Sequence, residues 1–305
     1  MEFFRHKTSI DFMGLRRFTA ALSVTLFIIS LTALTIRGLN WGLDFTGGTQ
    51  IQVNFSQPAN LPLMRSQLAA AGFPEAEVKS YGTAHDVLIS VGLRKDIDQK
   101  TLSERVMKAL PGASLGRVEF VGPQVGAELA TKGALAVLVA LLGTMIYIAM
   151  RFEYRFAVSS AVALIHDPVL ILGIFSLFHI EFNLTALAAV LAVIGYSLND
   201  TIVIFDRIRE NFRKLRKGTA IEVVNLSINQ TLSRTIMTSA MTLGVVLALY
   251  IYGGEMIHGF ATALIIGIVV GTYSSIYVAG ALAVAMGLNK NDLMPTPKKV
   301  LDERP

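Results

Sequence analysis

Two carboxylates interrupt apolar stretches of this 305-residue chain, at Asp167 in "ALIHDPV" and Asp200 in "IGYSLNDTIVIF". An acid in the middle of a bilayer costs at least about 2.5–3.5 kcal/mol on insertion scales, so it usually marks an ion or proton path. Asp200 has two readings. It is a protonated structural carboxyl hydrogen-bonded between helices, or it is a proton carrier, since a carboxyl withdrawn from water can load and unload near neutral pH. Each charge moved through 100 mV would release about 2.3 kcal/mol. Asp167 follows His166 and precedes Pro168, so the polar pair either serves a local kink or forms a second, weaker proton-handling candidate. Arg234 opens a later apolar run. It is a snorkelling interfacial cation or a positive partner that tunes Asp200. Two acids could also share a proton as in an aspartyl protease. The second motif of intramembrane proteases is G-x-G-D, however, and here Ser197-Leu198-Asn199 precedes Asp200.

A third constellation lies at Gly42–Thr49, "GLDFTGGT", which has every fixed position of a P-loop except the lysine, replaced by Gly48. Without that lysine the phosphates lose their cation, and Asp44 places a negative charge where an anion would sit. The alternating residues 51–55 predict that a strand follows, so no helix N-terminus is offered to a phosphate. No nucleotide is expected. Gly42, Gly47 and Gly48 are read as a sharp structural joint, with Trp41 at a membrane–water boundary and Asp44 hydrogen-bonded to backbone amides of its own turn.

The elements that position these residues follow from composition. The chain is 53% hydrophobic and 16% charged, against roughly 25% charged in soluble domains. Six apolar runs approach bilayer-crossing length: residues 18–36, 133–150, 156–178, 184–205, 235–252 and 260–286. The first is too long for a signal-peptide core and lacks a small-x-small cleavage site, which predicts an uncleaved anchor. Lys and Arg concentrate in the tail 1–17 (Arg5, Lys7, Arg16, Arg17), the turn at Arg151 and Arg155, the segment 206–234, and the tail 287–305 (Lys290, Lys298, Lys299, Arg304). The loops 179–183 and 253–257 have none. That asymmetry predicts cytoplasmic termini and an extracytoplasmic insert at 37–132. Asp206 and Glu210, among arginines, read as a solvated interfacial helix.

Within the insert, strands are expected at 51–55, 77–81, 86–91 and 115–121, with helices at 60–73 and 98–110. The order β-α-β-β-α-β is that of a ferredoxin-like unit. His85 stands alone in a predicted turn, and no catalytic set accompanies it. With no cysteine in the chain, there is no thiol chemistry or cysteine metal site. No catalytic residues, metal or cofactor are expected. Gly267, Gly271, Ser275, Ala279 and Ala283 recur every four residues along the last run, a small-residue stripe that admits close helix packing.

"GLDFTGGT", "RVEFVGPQVG", "RFEYR", "ALIHD", "IGYSLNDTIVIFDRIRENFRK" and "NQTLSRTIMTS" together resemble the SecF family, from about residue 40 to residue 286. The resemblance implies a multi-pass subunit of the bacterial inner membrane, of the resistance–nodulation–division type, with a periplasmic insert. It implies SecD, the SecYEG channel and a translocating polypeptide as partners, with the proton-motive force as energy source and no nucleotide or nucleic acid. It also implies proton-conduction roles for Asp200, in "SLND", and Arg234, in "SRT", together with an aspartate of SecD. A rival is half of a proton-driven small-molecule exporter of the same superfamily. Such pumps carry much larger outside domains.

Overall fold

The computed structural model describes residues 8–94, 97–215 and 218–288. Arg5, Lys7, Arg216, Lys217 and the basic residues of the C-terminal tail lie outside them. A 3-10 turn (Met13–Leu15) leads into α1 (Arg16–Ile36). The chain then passes through β1 (Asn40–Trp41) and a single helical turn, α2 (Leu43–Thr46). The insert comprises β2 (Gly48–Phe55), α3 (Leu61–Ala70), β3 (Glu77–Tyr81), β4 (Thr83–Gly92), α4 (Gln99–Ala109) and β5 (Ala113–Val121). There follow α5 (Pro123–Arg151), α6 (Tyr154–Leu177), β6 (Glu181–Phe182), α7 (Leu184–Lys214), α8 (Ala220–Tyr252) and α9 (Glu255–Ser274). A π-helical turn (Ser275–Ala279) carries α9 into α10 (Gly280–Ala285). Among the described residues, six helices are long and apolar enough to cross a membrane, the last running through the π turn.

Three of the long helices start at a local signal. Pro123 opens α5, where its missing N–H costs nothing. Asn183 caps α7 through Ala186, and Thr219 with Glu222 forms a capping box on α8. Three helices outrun their apolar stretches. α5 begins at Pro123 rather than 133, α7 ends at Lys214 rather than 205, and α8 begins at Ala220 rather than 235. Hydropathy reports only the part that needs lipid. The polar extension of α7 is held by side-chain pairs one turn apart, Arg207–Glu210 and Lys214–Glu210.

The four strands of the insert form an antiparallel sheet in the order β3–β4–β2–β5. Ile51, Val53, Val87 and Ile89 from its centre meet Met64 and Leu68 of α3 and Leu102 and Val106 of α4 in one core. Both helices therefore cover the same face. The period-2 alternation of β2 buries Ile51 and Val53 completely and turns Gln50, Gln52 and Asn54 the other way. His85 lies within β4 rather than in a turn, because the hairpin bends at Gly82 and pairs Thr83 with Tyr81. β1 and β6 make a separate two-stranded parallel ladder.

Within the helical part, the small-residue stripe packs against α7 of the same chain. A Cβ on Gly267 would sit inside Val193, and one on Gly271 would lie 3.0 Å from Ser197 Cβ. Ser275, Ala279 and Ala283 are fully buried. At the opposite end, residues 8–13 lie along α8. Asn229 binds the backbone of Ile10 as both donor and acceptor, at 2.8 and 2.9 Å. Asn225 Oδ1 accepts from the Phe12 N–H at 2.7 Å.

Candidate functional site

Three helices converge on Asp167. Its Oδ1 lies 3.0 Å from His166 Nδ1, and its Oδ2 accepts from Ser197 of α7 and, at 2.8 Å, from Ser274 of α9. Asp167 is 1% exposed and His166 5%. The imidazole stacks on Phe27 of α1, with ring centroids 6.2 Å apart. The pair therefore does not spend its hydrogen bonds on the backbone around Pro168. It ties α6 to α7 and α9, and Ser274 is the last residue before the π turn. No sequence signal assigns Ser274 to this cluster, because its link to Asp167 spans 107 positions.

Asp200 is also buried, at 4% exposure, but its surroundings differ. Its Oδ2 has no hydrogen-bond partner among the described residues. Ser160 Oγ and Thr235 Oγ1 are orphaned in the same way. Counted from the insert-side end of each helix, Asp200 is sixteen residues from Leu184, Ser160 seventeen from Leu177 and Thr235 seventeen from Tyr252. At about 1.5 Å per residue the three share a level some 25 Å in. Arg234 adjoins that level on α8, where its side chain is exposed. No ion pair joins Arg234 to Asp200 among the described residues. Asp167 and Asp200 share no hydrogen bond either, so the proton-sharing dyad of an aspartyl protease is not formed.

The glycine-rich stretch builds a joint. Gly42 is followed by the helical turn α2, and the strand expected after the motif, β2, begins at Gly48. Gly47 (φ +74°) and Gly48 (φ +152°) then redirect the chain into β2. A Cβ on Gly48 would lie 2.5 Å from the Val91 carbonyl oxygen, so the close approach of β4 requires glycine. Asp44 does not bond to its own turn. Its Oδ2 accepts from the Leu184 N–H, the first residue of α7, at 2.8 Å, which places a negative charge on that helix's N-terminus. Phe45 stacks on Phe182 at 6.0 Å, and Trp41 meets both rings edge-on. On β3, Lys79 pairs with Glu181 of β6 and, at 3.0 Å, with Glu77. Partial burial works against its charge, but the two carboxylates outweigh it and hold the lysine above its ordinary pKa of 10.5.

Comparison with known proteins agrees with this geometry. The family described as "Protein export membrane protein SecD/SecF, C-terminal" matches residues 100–289, and the "SecD/SecF GG Motif" matches residues 32–59, around Gly47 and Gly48. A "Protein translocase subunit SecF" of Vibrio alginolyticus is 50% identical over 292 residues, 94% of this chain and 93% of that protein. The Pseudomonas aeruginosa protein of the same description is 46% identical over 304 residues, covering 97% and 98%. The crystal structure of SecDF from a Thermus species, described as a translocon-associated membrane protein, superposes with a TM-score of 0.82 at 38% identity over 93% of this chain. A second SecDF structure, in a super-membrane-facing form, gives 0.72 at 39% identity. This chain spans 39% of the length of each SecDF chain. With family matches over more than half of its residues and SecF relatives aligned along nearly all of it, this multi-pass chain belongs to the SecF family of protein export membrane proteins.

Proposed function

We propose that the chain works as the SecF subunit of the Sec export machinery, pairing with SecD and using the proton-motive force to help draw polypeptides through SecYEG. The observation that carries this reading is the buried carboxyl of Asp200 in a membrane-crossing helix, whose Oδ2 has no hydrogen-bond partner among the described residues. A carboxyl with an open oxygen at a level shared with two orphaned hydroxyls is suited to take up and release a proton, with water as relay.

Arg234 and Asn199 support a partner subunit at this place. Both are polar and exposed on membrane-crossing helices, and neither suits lipid. An acidic group on a SecD helix would neutralise Arg234 and alter its hold on Asp200 as protonation changes. The basic segments support cytoplasmic termini and a periplasmic insert. We read the insert as a ferredoxin-like module, since its strand order and one-sided helices fit the split βαβ pattern. It acts by binding and movement rather than by catalysis.

The test is Asp200→Asn in a SecD–SecF complex, assayed for proton-driven completion of translocation in membrane vesicles. The neutral variant is expected to lose the stimulation by a proton gradient while still assembling with SecD. Retained gradient-dependent stimulation would overturn the mechanism.

A further inference from the structure

Helices α6 and α7 pack along two rows of side chains. On α6, Phe156, Ser160 and Asp167 share a face, with Glu153, the N-cap residue, at its foot. On α7, Ser197, Thr201, Phe205 and Arg209 recur every four residues. Three contacts fix how the rows meet. Ser197 donates to Asp167, Phe156 meets Phe205 with ring centroids 4.6 Å apart, and Arg209 lies 3.6 Å from Glu153. Ser160 and Thr201, each seventeen residues from the insert-side end of its helix, share a level between the first two contacts. The seam is therefore polar on both sides of one aromatic layer. Phe156 and Phe205 are fully buried, and Phe152 closes on both, at 6.1 and 5.9 Å. Along the α7 face that carries Asp200, Ile204 and Ile208 follow toward the basic end and are buried too. By helix rise, Phe205 lies about 7.5 Å from Asp200 in that direction and Arg209 about 6 Å further.

We propose that Phe156 and Phe205, with Phe152 beside them, are a gate that shuts the Asp200 level off from the basic end of the bundle. This rests on the function and orientation proposed above, in which that end is cytoplasmic. A carrier carboxyl open to both sides at once lets protons run down their gradient without doing work, so one side has to be shut while the other is open. A dry aromatic layer does this, because water does not fill an apolar constriction. The polar atoms on its two sides distinguish the layer from ordinary core. On the inner side, Asp200 Oδ2, Ser160 Oγ and Thr235 Oγ1 have no hydrogen-bond partner among the described residues, and on the outer side neither do Glu153 Oε2 and Arg209 Nε. Buried polar atoms of this kind call for water, and the rings lie between the two groups. On the outer side an open cavity of about 550 Å³ borders Glu153, Tyr154 and Arg155, a vestibule through which water reaches the pair. When the rings part, a proton leaving Asp200 passes through water to the Glu153 carboxylate and on to solvent, and Arg209 balances the carboxylate charge before and after.

The test is passive proton flux through the full chain assembled with SecD in liposomes that hold a pH-sensitive dye, after a pH gradient is imposed. Phe156→Ala is expected to raise the flux at least about fivefold over wild type, since it opens the constriction. Asp200→Asn added to it should return the flux to the wild-type level, because the opened path runs past that carboxyl. Phe205→Leu is the milder cut, for the case in which Phe156→Ala fails to assemble, and should raise the flux about twofold. Co-purification with SecD and the melting temperature of each complex show whether it has assembled. Wild-type flux in an assembled Phe156→Ala or Phe205→Leu complex overturns the gate. So does a leak that survives Asp200→Asn, which would run through damaged packing instead. Asp200→Asn alone, in the translocation assay, keeps the two proposals apart. If it loses gradient-driven stimulation while the phenylalanine variants stay tight, only the gate falls. If it keeps that stimulation, the proton-driven reading fails whatever the phenylalanines do.

Discussion

Asp44 Oδ2 accepts a 2.8 Å hydrogen bond from the backbone N–H of Leu184, so the turn that starts the outside sheet also holds the first residue of the helix carrying Asp200. The two ends of this contact lie 140 positions apart. α7 is a continuous helix from Leu184 past Asp200, and a rigid element of that kind passes a displacement at one end to the other.

Replacing Asp44 should therefore act on both stability and coupling. Asp44→Ala is expected to destabilise the solubilised complex by about 1–2 kcal/mol, the value of a charge-assisted bond at a helix start. Asp44→Asn, which keeps an acceptor, should lose about half of that. Thermal unfolding of the purified complex measures the difference. Equal melting of Ala, Asn and wild type would show that the contact holds nothing.

The Asp167 cluster should behave as a brace. Asp167→Ala leaves the Ser197 hydroxyl and the His166 imidazole without this partner and Ser274 with only the Gly271 carbonyl, and each unsatisfied group costs about 1–3 kcal/mol when buried. Folded yield is expected to fall sharply. A cycle of Ser197→Ala and Ser274→Ala should show coupling of about 0.5–3 kcal/mol, because both donate to one oxygen. Strictly additive losses would contradict the shared contact.

Glycines divide into two kinds. A methyl on Gly267 intrudes on Val193, so Gly267→Ala should cost about 1–3 kcal/mol by overpacking. Gly195 on α7 and Gly244 on α8 have nothing within 4 Å, and alanine at either should leave the chain at least as stable. A bulky Gly244→Leu is then expected to spare folding and weaken co-purification with SecD, if the second subunit seats against that face. Unchanged recovery would move the interface elsewhere.

Lys79 gives a pH expectation. Its folded pKa lies above the ordinary 10.5, so its contribution is fully present below that value and is lost only as pH rises through the raised one. Between pH 6 and 9 the Lys79–Glu181 tie should be constant. Lys79→Met should loosen the insert equally at both ends of that range, read by protease accessibility of the 179–183 loop. A loosening that appears only at pH 6 would point to a different titrating group.

The spans and the strand order were legible in the sequence because both leave a period or a run. Hydropathy found six apolar stretches, and alternation in 51–55 marked the central strand. The charged extension of α7 was read as an interfacial helix from Asp206 and Glu210, but the start of α8 was not legible, since the Thr219 box sustains helix where no apolar signal remains. Asp200 stood out by residue type and Arg234 through the family resemblance, but their lack of an ion pair depends on how α7 and α8 pack. The Ser274 partner of Asp167 and the Leu184 partner of Asp44 lie 107 and 140 positions away, beyond the reach of any local pattern. The π turn at Ser275–Ala279 is a backbone event, and the four-residue stripe through it reads like an ordinary helix.

The clasp of residues 8–13 onto Asn225 and Asn229 has a consequence for biosynthesis. Its hydrogen bonds join positions 212 to 221 residues apart. At about 5–20 residues per second, the leading segment waits roughly ten to forty seconds before its binding surface leaves the ribosome. Nearly every helix must be in place before this seam closes. A chain released too early would keep a loose leading end, a mark by which quality-control proteases could tell it from a finished one.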